Sequence, residues 1–135
     1  MAEFCHTVNI TEELAEKAFE GLCFINLVDF DMNYGHRQDT DGYAAALSRF
    51  DAWLGGFLNK LNDEDMLIIT ADHGCDPADN STDHTRECVP LIVYGGSKKA
   101  QNLGTLSGFY AISEIVCDYL GVDFTPDGDI HGKII

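Results

Sequence analysis

Two stretches decide the fold: Leu22–Asp31 reads LCFINLVDFD, and Met66–Gly74 reads MLIITADHG. Each opens as an apolar run with almost no alternation and ends on acidic residues. Runs of that kind are typical of strands buried on both faces, as in a parallel sheet covered by helices. They predict strands over Leu22–Val28 and Met66–Ala71. VPLIVY predicts a third strand over Val89–Tyr94, with Pro90 at its start, where a missing N–H is tolerated.

Helical patterns surround these runs. TEELAEKAFEG predicts a helix over Thr11–Gly21, with Thr11 as N-cap, Glu12 and Glu13 at the positive dipole end, and Gly21 closing it. Tyr43, Leu47, Phe50, Leu54, Phe57, Leu58 and Leu61 recur at three- and four-residue spacing, which predicts a long amphipathic helix. Gly55-Gly56 weakens its middle, as where another backbone approaches closely. A last helix is expected over Phe109–Leu120, followed by an irregular tail, Gly121–Ile135. The order argues for an α/β chain, residues 1–135 forming a single domain with a layered, mostly parallel sheet flanked by helices. Three strands make a thin sheet against the usual five or six, roughly. An exposed edge is therefore expected to pair with further chain or with a second copy.

The 135 residues are 45% hydrophobic, enough to bury a core, and carry 23 acidic against 8 basic residues for a formal charge of −15. That balance disfavours nucleic acid and anionic membrane as partners and suits a protein that holds cations. No apolar run approaches the roughly 18 residues of a membrane span, and MAEFCHTVNITEE lacks the basic start and long apolar core of a secretory leader. Five scattered cysteines without a CxxC pair fit a reducing, cytoplasmic home.

The chemistry lies in the placement of Asp and His. Asp29 and Asp31 follow the first expected strand, and His36 stands five residues beyond Asp31. Asp72 and His73 follow the second, and His84 comes eleven residues after His73. Ligands in open α/β sheets bind at that edge, past the strand ends. Carboxylate and imidazole together are the mixed O/N set for Mn²⁺, Zn²⁺ or Fe²⁺. A cation also offsets the cost of gathering such charge.

FINLVDFDMNYGHRQDTDGYAAALSRFD, LIITADHGCDP and TDHTRECVPLIVY resemble the C-terminal part of phosphopentomutase, a family of the alkaline phosphatase superfamily. The resemblance covers about residues 20–120, and TDHTRE after TADHG is its specific part. Cofactor-independent phosphoglycerate mutases share the metal logic but fit these motifs less well. The resemblance implies an alkaline-phosphatase-like core and interconversion of ribose or deoxyribose 1-phosphate and 5-phosphate. It implies two Mn²⁺ ions, in a site that Zn²⁺ or another divalent ion could also enter, and a phosphorylated Thr. Asp31, His36 and His84 match the ligands of one ion, and Asp72 and His73 match two ligands of the other. Arg86 is expected to approach a phosphate, or else to pair with a ligating carboxylate or with Glu87. Asp83 and Asp76 are candidates to accept from the outer ring nitrogens of the histidines.

No Thr here matches the family's nucleophile, and the segment that would carry it, with a further Asp ligand and the sugar-gripping cap domain, is not among these residues. The chain alone is therefore expected to be inactive. Two other readings are a stand-alone metal-binding or regulatory domain and a structural oligomerisation unit. Cys75 stands where the family usually has Asn, and as a small buried group it is expected to be inert. His6 and His131 are assigned no role.

Overall fold

The computed structural model describes residues 2–17, 19–95 and 99–123. Its elements are α1 (Ala2–Ala15), a π-helical turn (Phe30–Gly35), α2 (Thr40–Phe57) with a 3₁₀ extension (Leu58–Lys60), β1 (Met66–Thr70), β2 (Leu91–Gly95) and α3 (Tyr110–Tyr119). The chain divides into two compact units, Met1–Ala18 with Phe24–Lys98, and Phe19–Cys23 with Lys99–Ile135. The first carries every residue singled out for metal chemistry. The second contains α3, whose Ala111 and Ile115 are buried. No described helix is long and apolar enough to cross a membrane.

The α2 helix forms where the apolar spacing predicts, and Asp39 caps it by accepting from the Gly42 N–H at 2.9 Å. One face of α2 carries an aromatic ladder: Phe50 packs on Trp53 and Trp53 stacks on Phe57, with centroids 5.7 and 4.8 Å apart. Phe30 joins it edge-on to Tyr43 and Phe50 at 5.6 and 6.3 Å, which seats the π-turn on the helix. The α1 helix is tied to the far end of α2, because the Trp53 indole N–H donates to Glu12 at 2.8 Å and Lys60 reaches Glu12 and Glu16 at 3.1 and 2.9 Å. The close backbone approach expected at Gly55-Gly56 is not found: among the described residues a Cβ at either glycine would meet nothing within 4 Å.

Three sequence expectations change. The first helix starts ahead of Thr11, whose hydroxyl donates back to the Thr7 carbonyl at 2.8 Å as in a helix interior instead of capping an end. Leu22–Val28 is not a strand. The run is irregular and leaves Leu22 and Phe24 exposed at 62% and 84%, because apolar density alone supplies no ladder partner and none of the described residues pairs with it. The sheet is not parallel. β1 and β2 form a two-stranded antiparallel pair in the register Met66↔Gly95 to Thr70↔Leu91. Parallel pairing needs a crossover connection, usually a helix. Here the chain between the strands folds straight back on itself, with an antiparallel bridge at Gly74↔Thr85. The α/β composition stands.

Candidate metal centre

The π-turn is what makes the five-residue spacing of Asp31 and His36 useful. In an α-helix five residues are about 1.4 turns and the two side chains would diverge. In the π-turn the His36 N–H donates to the Asp31 carbonyl at 3.0 Å, closing one turn over those five residues. Both side chains then leave the same side, and Asp31 Oδ2 lies 3.2 Å from His36 Nε2. Asp29 turns the other way. It is buried and accepts from the Asn33 amide at 2.8 Å, so its carboxylate holds the turn.

The second arm is the loop between β1 and β2. Thr85 N–H donates to the Gly74 carbonyl at 3.1 Å, and the antiparallel bridge leaves the residues just before each, His73 and His84, as diagonal neighbours on one face. Their rings stack with centroids 3.7 Å apart and planes 14° from parallel. Gly74 is required by this approach, since a Cβ there would lie 2.7 Å from the Thr85 carbonyl and from the Glu87 backbone N and O.

Side chains of residues 36–40 fasten the loop over the π-turn. His36 Nδ1 hydrogen-bonds the Thr82 carbonyl, Gln38 Nε2 donates to the Asp79 carbonyl at 2.7 Å, and the Thr40 hydroxyl donates to the Pro77 carbonyl at 3.3 Å. Gln38 holds a left-handed φ of 54° to do so.

Asp31, His36 and His84 offer ligand atoms that all lie within 4.8 Å of one another. His73 and His84 direct Nε2 at Asp31 Oδ1 from 3.9 and 4.0 Å, while Asp72 Oδ1 stands 3.7 Å from His73 Nε2 on a carboxylate that is 82% exposed. Separations of 3.9–4.0 Å are too long for hydrogen bonds and suit donors sharing an ion held at about 2.0–2.2 Å from each. The outer nitrogens agree with that use. Nδ1 of His36 faces the Thr82 carbonyl and Nδ1 of His73 the Gly74 carbonyl at 3.0 Å, an arrangement that leaves the Nε2 lone pair for the centre. The donor set thus fits a divalent cation.

Of the candidate residues, Asp31, His36, His73 and His84 converge, Asp72 lies at their rim, and Arg86 is exposed. Neither Asp76 nor Asp83 takes the outer ring nitrogen of His36 or His73. The Asp76 carboxylate accepts from the Ala78 N–H at 2.9 Å, and backbone carbonyls take the ring nitrogens instead. Glu87 accepts from the Thr85 hydroxyl. Cys75 is half-buried beside the π-turn, and burial, then the Asp31, Glu87 and Asp76 carboxylates, push its thiol above the usual range. Tyr43 is raised too, first by burial, then by Cys75 and Asp31. Gln38 and the Thr82 carbonyl carry no sequence signal, whereas the glycines of YGH and DHG do.

The chain is 52% identical over 136 aligned positions to a phosphopentomutase of Lachnoclostridium phytofermentans, covering 96% of this chain and 35% of that protein. A phosphopentomutase of Acetivibrio thermocellus is 51% identical over 123 positions, covering 90% of this chain and 32% of its own length. One from Carboxydothermus hydrogenoformans is 52% identical over 114 positions, 84% of this chain and 29% of the relative. The chain spans about a third of the length of the curated relatives it matches. The family model of the metalloenzyme superfamily matches residues 3–124, both histidine arms included, and to that superfamily the chain belongs.

Proposed function

We propose that this chain is the metal-binding, C-terminal share of a phosphopentomutase, which interconverts ribose or deoxyribose 1-phosphate and 5-phosphate. The observation that carries the reading is the convergence of Asp31, His36 and His84 on one point in a chain about half identical to proteins of that name. Asp31, His36 and His84 hold one divalent ion, and Asp72 with His73 contribute to a second. Mn²⁺ is the ion of this reading, and the same O/N donors accept Zn²⁺. Such a pair of ions supplies charge neutralisation to a transferring phosphoryl group.

The chain's own residues set the stage for that chemistry. The Thr82 and Gly74 carbonyls orient the His36 and His73 rings. The stack of His73 on His84 holds the two sides of the β1–β2 loop together. Arg86, exposed two residues beyond His84, meets the substrate phosphate. The phosphorylated Thr and the sugar-gripping cap are assigned to the part of the relatives that this chain does not span. In this reading residues 1–135 form one α/β share of a larger, mostly parallel core in a cytoplasmic enzyme, completed by the rest of such a protein or by a second copy at its strand edges. The chain alone has negligible mutase turnover.

Calorimetric titration of metal-stripped protein with Mn²⁺, beside a His84→Ala variant, tests this. One site per chain that disappears in the variant is expected, and identical isotherms for the two proteins would sink the assignment. A second reading, a metal-binding domain without catalysis, is favoured by the closure of three ligands inside one compact unit. Mixing the chain with the N-terminal segment of the Lachnoclostridium relative separates the two, since only the mutase reading yields pentose-phosphate turnover.

A further inference from the structure

We propose that Gly35 and Cys75 are a matched pair of positioning residues, a missing side chain facing a thiol, that sets the distance between the arm carrying Asp31 and His36 and the arm carrying His73. The inference rests on the metal-site reading above and gives a role to the one residue beside the site that the reading leaves idle.

Gly35 closes the π-turn immediately before His36, and Cys75 lies two residues after His73. Gly35 is buried. A Cβ built on it would lie 2.6 Å from Cys75 Sγ, 3.3 Å from the Phe30 carbonyl and 3.6 Å from Asp31 Oδ1. Gly35 is not among the residues with positive φ, so its backbone does not demand glycine; the approach of the thiol does. The thiol therefore occupies the place of the absent side chain, and it does so beside the carboxylate oxygen that faces both His73 and His84. A methyl at residue 35 must displace either the thiol, which lies two residues from His73, or the turn that carries Asp31. Removing the sulfur leaves a gap that lets the arms approach. In either case the ligand atoms lose their spacing while the helices, the aromatic ladder and the strand pair are untouched.

A double-mutant cycle over the full chain tests the pair, with wild type, Gly35→Ala, Cys75→Ala and the double variant compared by Mn²⁺ calorimetry and by metal-free thermal midpoint. Gly35→Ala is expected to weaken Mn²⁺ binding by about 10- to 100-fold, the range for residues that orient ligands. With the sulfur gone, the next nearest atoms to the methyl are the Phe30 carbonyl and Asp31 Oδ1, at 3.3 and 3.6 Å, so the double variant recovers most of that loss. Its affinity is expected to lie within about 3-fold of Cys75→Ala alone, a strongly non-additive result. Additive losses, or a Gly35→Ala variant that binds as tightly as wild type, would overturn the proposal. If Gly35→Ala does not fold, rescue of folding in the double variant supports the pair, and a double variant that also stays unfolded refutes it. If the wild-type chain binds no Mn²⁺, the metal reading fails on its own. The pair is then judged by the midpoints, where coupling upholds it and additivity rejects it.

Discussion

Replacing Gly74 with alanine tests how the His73 and His84 sides of the loop are held together. A Cβ at this position would sit 2.7 Å from three backbone atoms, the Thr85 carbonyl oxygen and the Glu87 N and O, none of which can rotate away as a side chain would. Ordinary contact begins near 3.4 Å, so the 85–87 segment must retreat by about 0.7 Å. Overpacking of this kind costs about 1–3 kcal/mol. Retreat also strains the 3.1 Å bond from the Thr85 N–H to the Gly74 carbonyl, which contributes about 1 kcal/mol. The sum, about 2–4 kcal/mol, corresponds to a fall in thermal midpoint of about 8–16 °C for a chain of this size. The local consequence is more specific, because His73 and His84 precede the bridged residues and their 3.7 Å ring stack depends on that bridge. Circular dichroism gives the midpoint, and proton NMR follows the imidazole signals, which stacking displaces by ring current. A Gly74→Ala protein that melts within about 2 °C of wild type, with those signals unmoved, would refute the argument that this close approach builds the centre.

Two further tests address the scaffold around the site. Gln38 holds a φ of 54°, where glycine is unstrained, so Gln38→Gly is expected to be more stable than Gln38→Ala by about 1 kcal/mol in urea denaturation. Both variants lose the bond to the Asp79 carbonyl, and equal stabilities would show that this backbone carries no strain. The tie between α1 and α2 has a pH signature. Hydrogen bonds from Lys60 and then Trp53 hold the Glu12 carboxyl below its usual value of 4.5, so its contribution is present above that pH and fades as pH falls through the lower, folded value. Melting curves of wild type and Glu12→Gln are expected to differ at neutral pH and converge in acid; a gap that widens on acidification would reverse the assignment.

How much of this was legible beforehand follows from what each pattern encodes. Periodic apolar spacing reports which side of an element is buried, and it correctly marks α2, while the dense runs Met66–Ala71 and Val89–Tyr94 do become strands. A dense apolar run reports only that a segment tends to be buried. It does not name the partner, which is why Leu22–Val28 reads as a strand and yet lies irregular with Phe24 exposed. Strand direction is equally invisible, since the side-chain pattern of an isolated strand is the same in either orientation. The loop between β1 and β2 decides it by bridging Gly74 to Thr85 and turning the pair antiparallel.

The site divides in the same way. Sequence alone determined the ligand types and their order: carboxylate and imidazole five residues apart, then Asp72-His73, then His84, in an acidic chain suited to a cation. Tertiary structure decided what those residues do together. A turn closed over five residues puts Asp31 and His36 on one side, and a bridge between distant segments stacks His73 on His84. Backbone carbonyls, not the neighbouring carboxylates, take the outer ring nitrogens of His36 and His73. The reason is physical: side-chain chemistry is local and written in each residue, whereas distance between ligands depends on hydrogen bonds and close contacts formed only when remote segments meet.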